Sequence, residues 1–163
     1  MMQDLRIGLG HDIHAFSPDR DLILGGVKIP FEKGLSGHSD ADALLHAVMD
    51  AILGALALGD IGKLFPDTDP SYKNISSMVL LSMVVEKVKE LRYSILNVDT
   101  IIHCEKPRIS PFRDAMKNSI AKALGIDPGR ISIKAGTNEG FDSIGRGDAL
   151  ACQAIILLMK TEE

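Results

Sequence analysis

Ala149-Leu150-Ala151-Cys152-Gln153-Ala154-Ile155-Ile156-Leu157-Leu158-Met159 carries one polar side chain in an otherwise unbroken apolar run near the end of the chain. A strand of this kind reads as buried on both faces, because a strand with one wet face alternates apolar and polar residues. It therefore predicts a sheet with something packed against each side.

The segments upstream supply one of those covers. Residues 5–14 read as a strand rich in Ile and Leu, broken by Gly8 and Gly10. Leu22-Ile23-Leu24-Gly25-Gly26-Val27-Lys28-Ile29-Pro30 is a hairpin signal, two apolar runs joined by Gly-Gly. After a polar connection over 31–37, residues 39–58 read as a long helix in which Leu45, Val48, Met49, Ile52 and Leu56 repeat at helical spacing. Ser39 is its expected N-cap, with Asp40 and Asp42 facing the positive end of the helix dipole. Gly59 ends it, and 60–70 is loop. Then follow a helix over 76–91, a strand over 97–105, a helix over 111–124 stopped by Gly125, a strand over 130–136, and the apolar run. This order predicts a single α+β domain spanning 1–163: a four-stranded mixed sheet plus a small β-hairpin, with the helices on one face. No helix remains for the other face, so self-association is its natural cover.

Composition narrows the function classes. The chain has 163 residues, 45% of them apolar, enough for one cored domain. A net charge of −4 argues against broad attraction to nucleic acid or anionic membrane. Aromatic content of 4% with no Trp argues against base-stacking platforms. Two cysteines, Cys104 and Cys152, make no disulfide framework, as expected in the cytosol. Without a signal-like N-terminus or a bilayer-length apolar stretch, the expected location is cytoplasmic.

In Arg6-Ile7-Gly8-Leu9-Gly10-His11-Asp12-Ile13-His14, the alternation of a strand brings Asp12 and His14 to the same side. His46, on the following helix, could complete a two-His, one-carboxylate set that holds a zinc-like ion and leaves one position open. A rival set is His38, Asp42 and His46, four residues apart on one helix face. In the first reading Asp42 and Asp50, one turn either side of His46, could orient it from behind.

Three further segments carry chemistry-bearing residues. Asp60-Ile61-Gly62 and Phe65-Pro66-Asp67-Thr68-Asp69 read either as turn chemistry or as acceptors for polyol hydroxyls. Lys134-Ala135-Gly136-Thr137-Asn138-Glu139 lies at a strand end, where Glu139 could hold a hard divalent ion; Arg146, after Gly145, is a phosphate fork or a surface charge. Glu105-Lys106-Pro107-Arg108-Ile109-Ser110-Pro111 is a Pro-bounded connector. No Walker loop, nucleophile elbow or dinucleotide fingerprint is present.

Together these segments resemble the 2-C-methyl-D-erythritol 2,4-cyclodiphosphate synthase family. The resemblance runs from Arg6 to Met159 and rests on Ser36-Gly37-His38-Ser39-Asp40-Ala41-Asp42-Ala43-Leu44-Leu45-His46, on Asp60-Ile61-Gly62-Lys63-Leu64-Phe65-Pro66-Asp67-Thr68-Asp69, and on Asp12-x-His14. It implies an enzyme that converts 4-diphosphocytidyl-2-C-methyl-D-erythritol 2-phosphate to the cyclic diphosphate and CMP, in the non-mevalonate route to isoprenoids. It implies zinc on Asp12, His14 and His46, one per subunit, and Mg²⁺ or Mn²⁺ on Glu139. His38 and Thr137 would stabilise the transition state, and His38 and Ser39 would contact phosphates, beside Asp12, Ile13 and His14. Residues Asp60, Ile61, Gly62, Phe65, Pro66, Asp67, Thr68 and Asp69 would hold the methylerythritol part. Cys104, Glu105, Lys106, Pro107, Arg108, Ile109 and Ser110 would form the cytidine pocket, with Gly136, Thr137, Asn138 and Glu139 adjoining it.

The resemblance also implies a homotrimer with active sites between subunits and a central cavity that in this family can bind an isoprenoid diphosphate near Ser143 and Arg146. Three positions depart from the commoner pattern. Gly136 and Ser143 stand where many members have Thr and Phe, and His11 where Phe is frequent; His11 and Ser143 make the cavity more polar, while Gly136 loses one hydroxyl near the nucleotide. Two other functions fit the same residues: a zinc phosphohydrolase, which would release a linear product, and a non-catalytic trimeric binding module, which would release no CMP.

Overall fold

The computed structural model describes residues 4–161. The first strand, β1 (Leu5–Ser17), leads into a hairpin of β2 (Leu22–Leu24) and β3 (Val27–Ile29) and a two-residue strand β4 (Gly34–Leu35). Helix α1 (Ala43–Ala55) follows, then the single-turn α2 (Ile61–Leu64) and α3 (Ser77–Glu90). The second half runs β5 (Tyr93–His103), α4 (Arg113–Leu124), β6 (Ile131–Gly136), the single-turn α5 (Asp142–Gly145) and β7 (Ala149–Lys160).

The α+β class holds, with one correction: the main sheet has five strands, in the order β4-β1-β7-β5-β6. The fifth, β4, is too short to show a period in sequence, and it pairs Phe16 with Leu35 at the edge. Only β5 and β6 run parallel; β7 lies antiparallel between β1 and β5 at the centre. Gly25 and Gly26 both take positive φ (58° and 73°), the two-residue turn expected between β2 and β3.

Gly8 and Gly10 do not break β1, which pairs with β7 without interruption from Leu5 to Ala15. Their reason lies in the helix packed above them. A Cβ on Gly8 would fall 1.8 Å from the Ala51 carbonyl oxygen, and one on Gly10 would fall 1.9 Å from that of Ala47. The helix backbone thus rests directly on the strand, with Ala47 and Ala51 as its small contact residues. Leu44, Leu45, Met49 and Ile52 fill the space around that contact. Each such side chain stabilises the fold by roughly 1.5–3 kcal/mol on burial.

Helix α1 begins four residues later than expected, and its N-cap is Asp42 rather than Ser39. The Asp42 carboxylate is fully buried and accepts from the Leu45, Gly25 and Gly26 N–H groups at 3.0, 2.9 and 2.7 Å. It therefore pins the hairpin tip to the helix start. Burial raises its pKa to about 6 against those three donors. The segment 60–70 is not plain loop, since Asp60 caps α2 and Asp69 caps a turn of 3₁₀ helix at Pro70–Tyr72.

Most of the opposite sheet face is open in the single chain; at one end Ile144 of α5 packs on Ala149 and Ala151. Leu5, Ile7, Leu9, Ile13 and Ile155 on it are 51, 72, 67, 47 and 50% exposed. The strand read as buried on both faces is so only over residues 149–152; beyond them Gln153 and Ile155 face out.

Gly10→Ala should destabilise the chain by about 3 kcal/mol or more, because the methyl must displace helix backbone rather than a side chain. Gly54→Ala, at an exposed position of the same helix with nothing nearer than 3.9 Å, should stabilise it by up to about 1 kcal/mol. Urea unfolding of both variants checks the pair; equal effects would contradict the backbone contact.

Candidate metal centre and adjoining clefts

Because Gly8, Gly10, Asp12 and His14 share one side of β1, the glycines that admit α1 also turn Asp12 and His14 toward it. His46 comes from the first turn of α1, next to Ala47. Asp12 Oδ2, His14 Nε2 and His46 Nδ1 form a triangle with edges of 2.8, 3.0 and 3.3 Å. Among the described residues this is the one His/Cys/Asp/Glu group arranged to hold a metal ion. An ion about 2.0–2.1 Å from tetrahedral donors spaces them by roughly 3.3 Å, so the triangle fits such an ion after slight widening.

The electrostatics and outward hydrogen bonds suit the same role. Burial works against the charge on Asp12, but hydrogen bonds from both histidines outweigh it and hold the carboxyl well below the usual carboxylate range. The bond to Asp12 in turn raises the His14 pKa against the cost of burial. His14 Nδ1 donates to the Ser36 carbonyl at 2.6 Å, so an ion that displaces the proton between Nε2 and Asp12 would meet the Nε2 lone pair. A neutral nitrogen pair and one carboxylate make a donor set suited to zinc and its neighbours in the first transition row.

The rival helix set is ruled out by geometry: Asp42 spends its carboxylate on three backbone N–H groups, away from His38 and His46. Nor does Asp42 or Asp50 orient His46 through a hydrogen bond. Asp50 accepts from the Ile61 N–H at 2.8 Å and so anchors α2; burial raises its pKa.

The triad lies in a cleft of about 390 Å³ that also contains His38, Ser39, Ile61, Gly62, Phe65, Asp67, Tyr72 and Leu80. The segment bearing His38 and Ser39 is tied down on several sides. Arg20 donates to the Gly37 and Ser39 carbonyls at 2.8 and 2.5 Å, and the Asn74 N–H donates to the His38 carbonyl at 2.8 Å. Gly37 has no room for a side chain, since its Cβ would meet the Ala41 Cβ at 2.8 Å and the His14 ring at 3.2 Å. His38 Nε2 lies 3.3 Å from the Asp69 carbonyl oxygen. The carboxylates of Asp60 and Asp69 cap local turns, so the turn reading of those two residues holds.

A second cleft of about 490 Å³ is lined by Cys104, Glu105, Lys106, Pro107, Arg108, Ile109, Ser110, Arg113, Ala135, Gly136 and Thr137. No residue lines both clefts. Thr137 Oγ1 donates to Glu139 Oε1 at 2.8 Å, and the Asn138 N–H donates to Glu105 at 3.2 Å, joining the two loops of this rim. Glu139 takes a positive φ of 52°, which turns it out of the strand direction. Cys104 and Cys152 are both buried and unpaired. Burial pushes the Cys104 thiol up to about 12, so it is no nucleophile.

The remaining predicted residues lie outside both clefts. Ile13 is on the open sheet face, Pro66 and Thr68 belong to the loop after α2, Ser143 lies in α5, and exposed Arg146 pairs with Asp148 at 3.1 Å. Sequence reading missed Tyr72, Leu80, Arg20 and Arg113. Arg113, at the start of α4, has a buried Nε without a protein partner. None of the four sits at a recognisable spacing from the motifs.

A model of the YgbB family matches residues 5–159. The chain is 54% identical over 156 residues to the 2-C-methyl-D-erythritol 2,4-cyclodiphosphate synthase of Clostridium perfringens, covering 96% of this chain and 100% of that one. It is 53% identical over 158 residues to the synthase of Brachyspira hyodysenteriae, covering 97% and 100%. Among solved structures it resembles bifunctional IspDF from Campylobacter jejuni, with a TM-score of 0.95 and 40% identity. That match covers 99% of this chain and 44% of that one. It also resembles the CDP complex of IspF from Plasmodium falciparum, with a TM-score of 0.87 and 36% identity over 99% of this chain and 100% of that one.

Proposed function

The chain belongs to the YgbB family, and from that premise we propose that it is a 2-C-methyl-D-erythritol 2,4-cyclodiphosphate synthase working through two half-sites. It converts 4-diphosphocytidyl-2-C-methyl-D-erythritol 2-phosphate to the cyclic diphosphate and releases CMP. The observation that carries the reading is the Asp12–His14–His46 triangle at a cleft shared with His38 and Ser39.

The reaction joins two ends of one substrate. An oxygen of the 2-phosphate attacks the β-phosphorus, the bond from that phosphorus to the bridging oxygen breaks, and CMP departs with the bridging oxygen. No protein nucleophile is required; the protein's task is to position the ends and neutralise charge. His38 and Ser39 lie on a backbone held by Arg20 and Asn74, so they meet the phosphates without first being ordered. Residues of α2 and the loop after it hold the methylerythritol part, with α2 anchored through Asp50. Asp12, His14 and His46 would hold zinc, and the carboxylate of Glu139 would hold Mg²⁺ or Mn²⁺. When bound, the two ions polarise the β-phosphate and offset charge along the diphosphate.

The cleft from Cys104 to Ser110 takes the cytidine moiety, largely through backbone groups. The CDP held by the similar Plasmodium protein supports that use. In one chain this cleft and the metal cleft share no residue. A homotrimer resolves the separation by setting the second cleft, with Thr137 and Glu139, against the metal cleft of a neighbouring chain. The open face of Ile7, Leu9, Ile13 and Ile155 supports this assembly, since apolar patches of that kind mark interfaces. Ser143 and Arg146 then stand toward the trimer axis, where an isoprenoid diphosphate could be bound. No helix of the described residues is long and apolar enough to cross a membrane, in keeping with a cytoplasmic enzyme.

Incubation with the cytidyl substrate and Mg²⁺ should yield CMP and a ring diphosphate in equal amounts by phosphorus NMR. A linear product would convert the reading to hydrolysis, and binding without CMP would reduce it to a binding module.

Mixed trimers test the division between subunits. His46→Ala lacks the metal half, and Thr137→Val combined with Glu139→Gln lacks the other. Each alone should be inactive, while co-refolded mixtures should regain partial activity where intact halves face one another. Verified mixed trimers without recovery would place each site within one chain.

A further inference from the structure

His46 faces the metal triangle with Nδ1 and the protein interior with Nε2. Behind it, Nε2 lies 3.0 Å from Ser77 Oγ and 3.2 Å from Ser39 Oγ. Ser77 is fully buried at the start of α3. Its hydroxyl donates to Asp40 Oδ1 at 2.5 Å, while Asp40 Oδ2 accepts the Ser77 N–H at 2.9 Å. Asp40 belongs to the segment between Ser39 and the helix cap, and its own N–H donates to the Ile75 carbonyl at 3.0 Å. The chain of contacts thus runs from a carboxylate, through a hydroxyl, to an imidazole.

Direction decides what this chain does. An ionised carboxylate only accepts hydrogen bonds, so the Ser77 proton points at Asp40. Only lone pairs of Ser77 Oγ then remain for His46, and the imidazole must be the donor. With a proton held on Nε2, an ion that displaces the proton between Nδ1 and Asp12 Oδ2 would meet the Nδ1 lone pair, on the side of Asp12 and His14. His14 reaches the same end directly, through its bond to the Ser36 carbonyl.

Resting on the metal reading of Asp12, His14 and His46, we propose that Asp40 and Ser77 are positioning residues that hold His46 in its metal-binding tautomer. Partners of this kind behind a ligating histidine typically change metal affinity by roughly 10–100-fold. Asp40→Asn is the discriminating change, because it keeps the size of the side chain and reverses the logic. An amide N–H presented to Ser77 Oγ turns the hydroxyl proton toward His46 Nε2. That selects the tautomer with its proton on Nδ1, where the ion should bind.

The test is the zinc dissociation constant of the full chain, measured by competition with a fluorescent chelator, beside the melting temperature of each metal-free protein. Asp40→Asn and Ser77→Ala should each weaken zinc binding by roughly 10–100-fold. The double variant should be no weaker than Ser77→Ala alone, since the two act as one unit. If Ser77→Ala does not fold, Asp40→Asn decides alone. Variants that melt lower yet bind zinc as tightly as the unaltered chain would overturn the relay and leave the metal site standing. An unaltered chain that binds no zinc would overturn the metal reading and the relay with it.

Discussion

The structure depends on one close approach: the backbone of α1 lying on the backbone of β1. Gly8 and Gly10 make it sterically possible, and Ala47 and Ala51 supply the small residues on the helix side. Side chains at those two strand positions would hold the helix farther out. Here the helix sits closer, near enough that an imidazole from its first turn meets an imidazole and a carboxylate from the strand. The contact is therefore both core and site. The strand's period of two makes the arrangement register-specific, since a slip of one residue would turn Asp12 and His14 to the opposite face.

Around that contact the chain places few competing partners on the donor atoms that matter. The carboxylate nearest in sequence on the helix, Asp42, is consumed by the hairpin tip and the helix N-terminus. Asp50 is consumed by α2. Asp40 reaches the site only through Ser77. Three carboxylates close to His46 in sequence thus have three separate tasks, and the ion-facing position is left to Asp12 alone.

Much of this was legible in the sequence, for physical reasons that differ by element. Asp12 and His14 were readable because alternation along a strand is a reliable geometric rule, and His46 because its residue type, on the helix that follows, could complete their donor set. Gly8 and Gly10 were misread as interruptions, since a glycine that admits a neighbour looks in sequence like one that breaks a strand. Asp42 looked like a ligand or its support because spacing reports the helix face and not what is packed against it. The partner there is the Gly25-Gly26 turn, distant in sequence. Strand β4 was missed because two residues carry no period. Ser77 and Arg20 were invisible as site residues because each acts from another part of the chain. The apolar final strand predicted a cover that one chain does not provide, and the exposed Ile7, Leu9 and Ile155 are the physical statement of that need.

That β1 and α1 together make one metal centre is a structural claim that X-ray absorption at the zinc edge of the zinc-loaded protein checks. It predicts one ion per chain with a first shell of nitrogen and oxygen only, two imidazoles among them, at about 2.0–2.1 Å. Asp12→Ala should then remove an oxygen donor while the imidazole scattering persists. A shell containing sulfur, a shell with one imidazole, or a spectrum unchanged by Asp12→Ala would contradict the assignment.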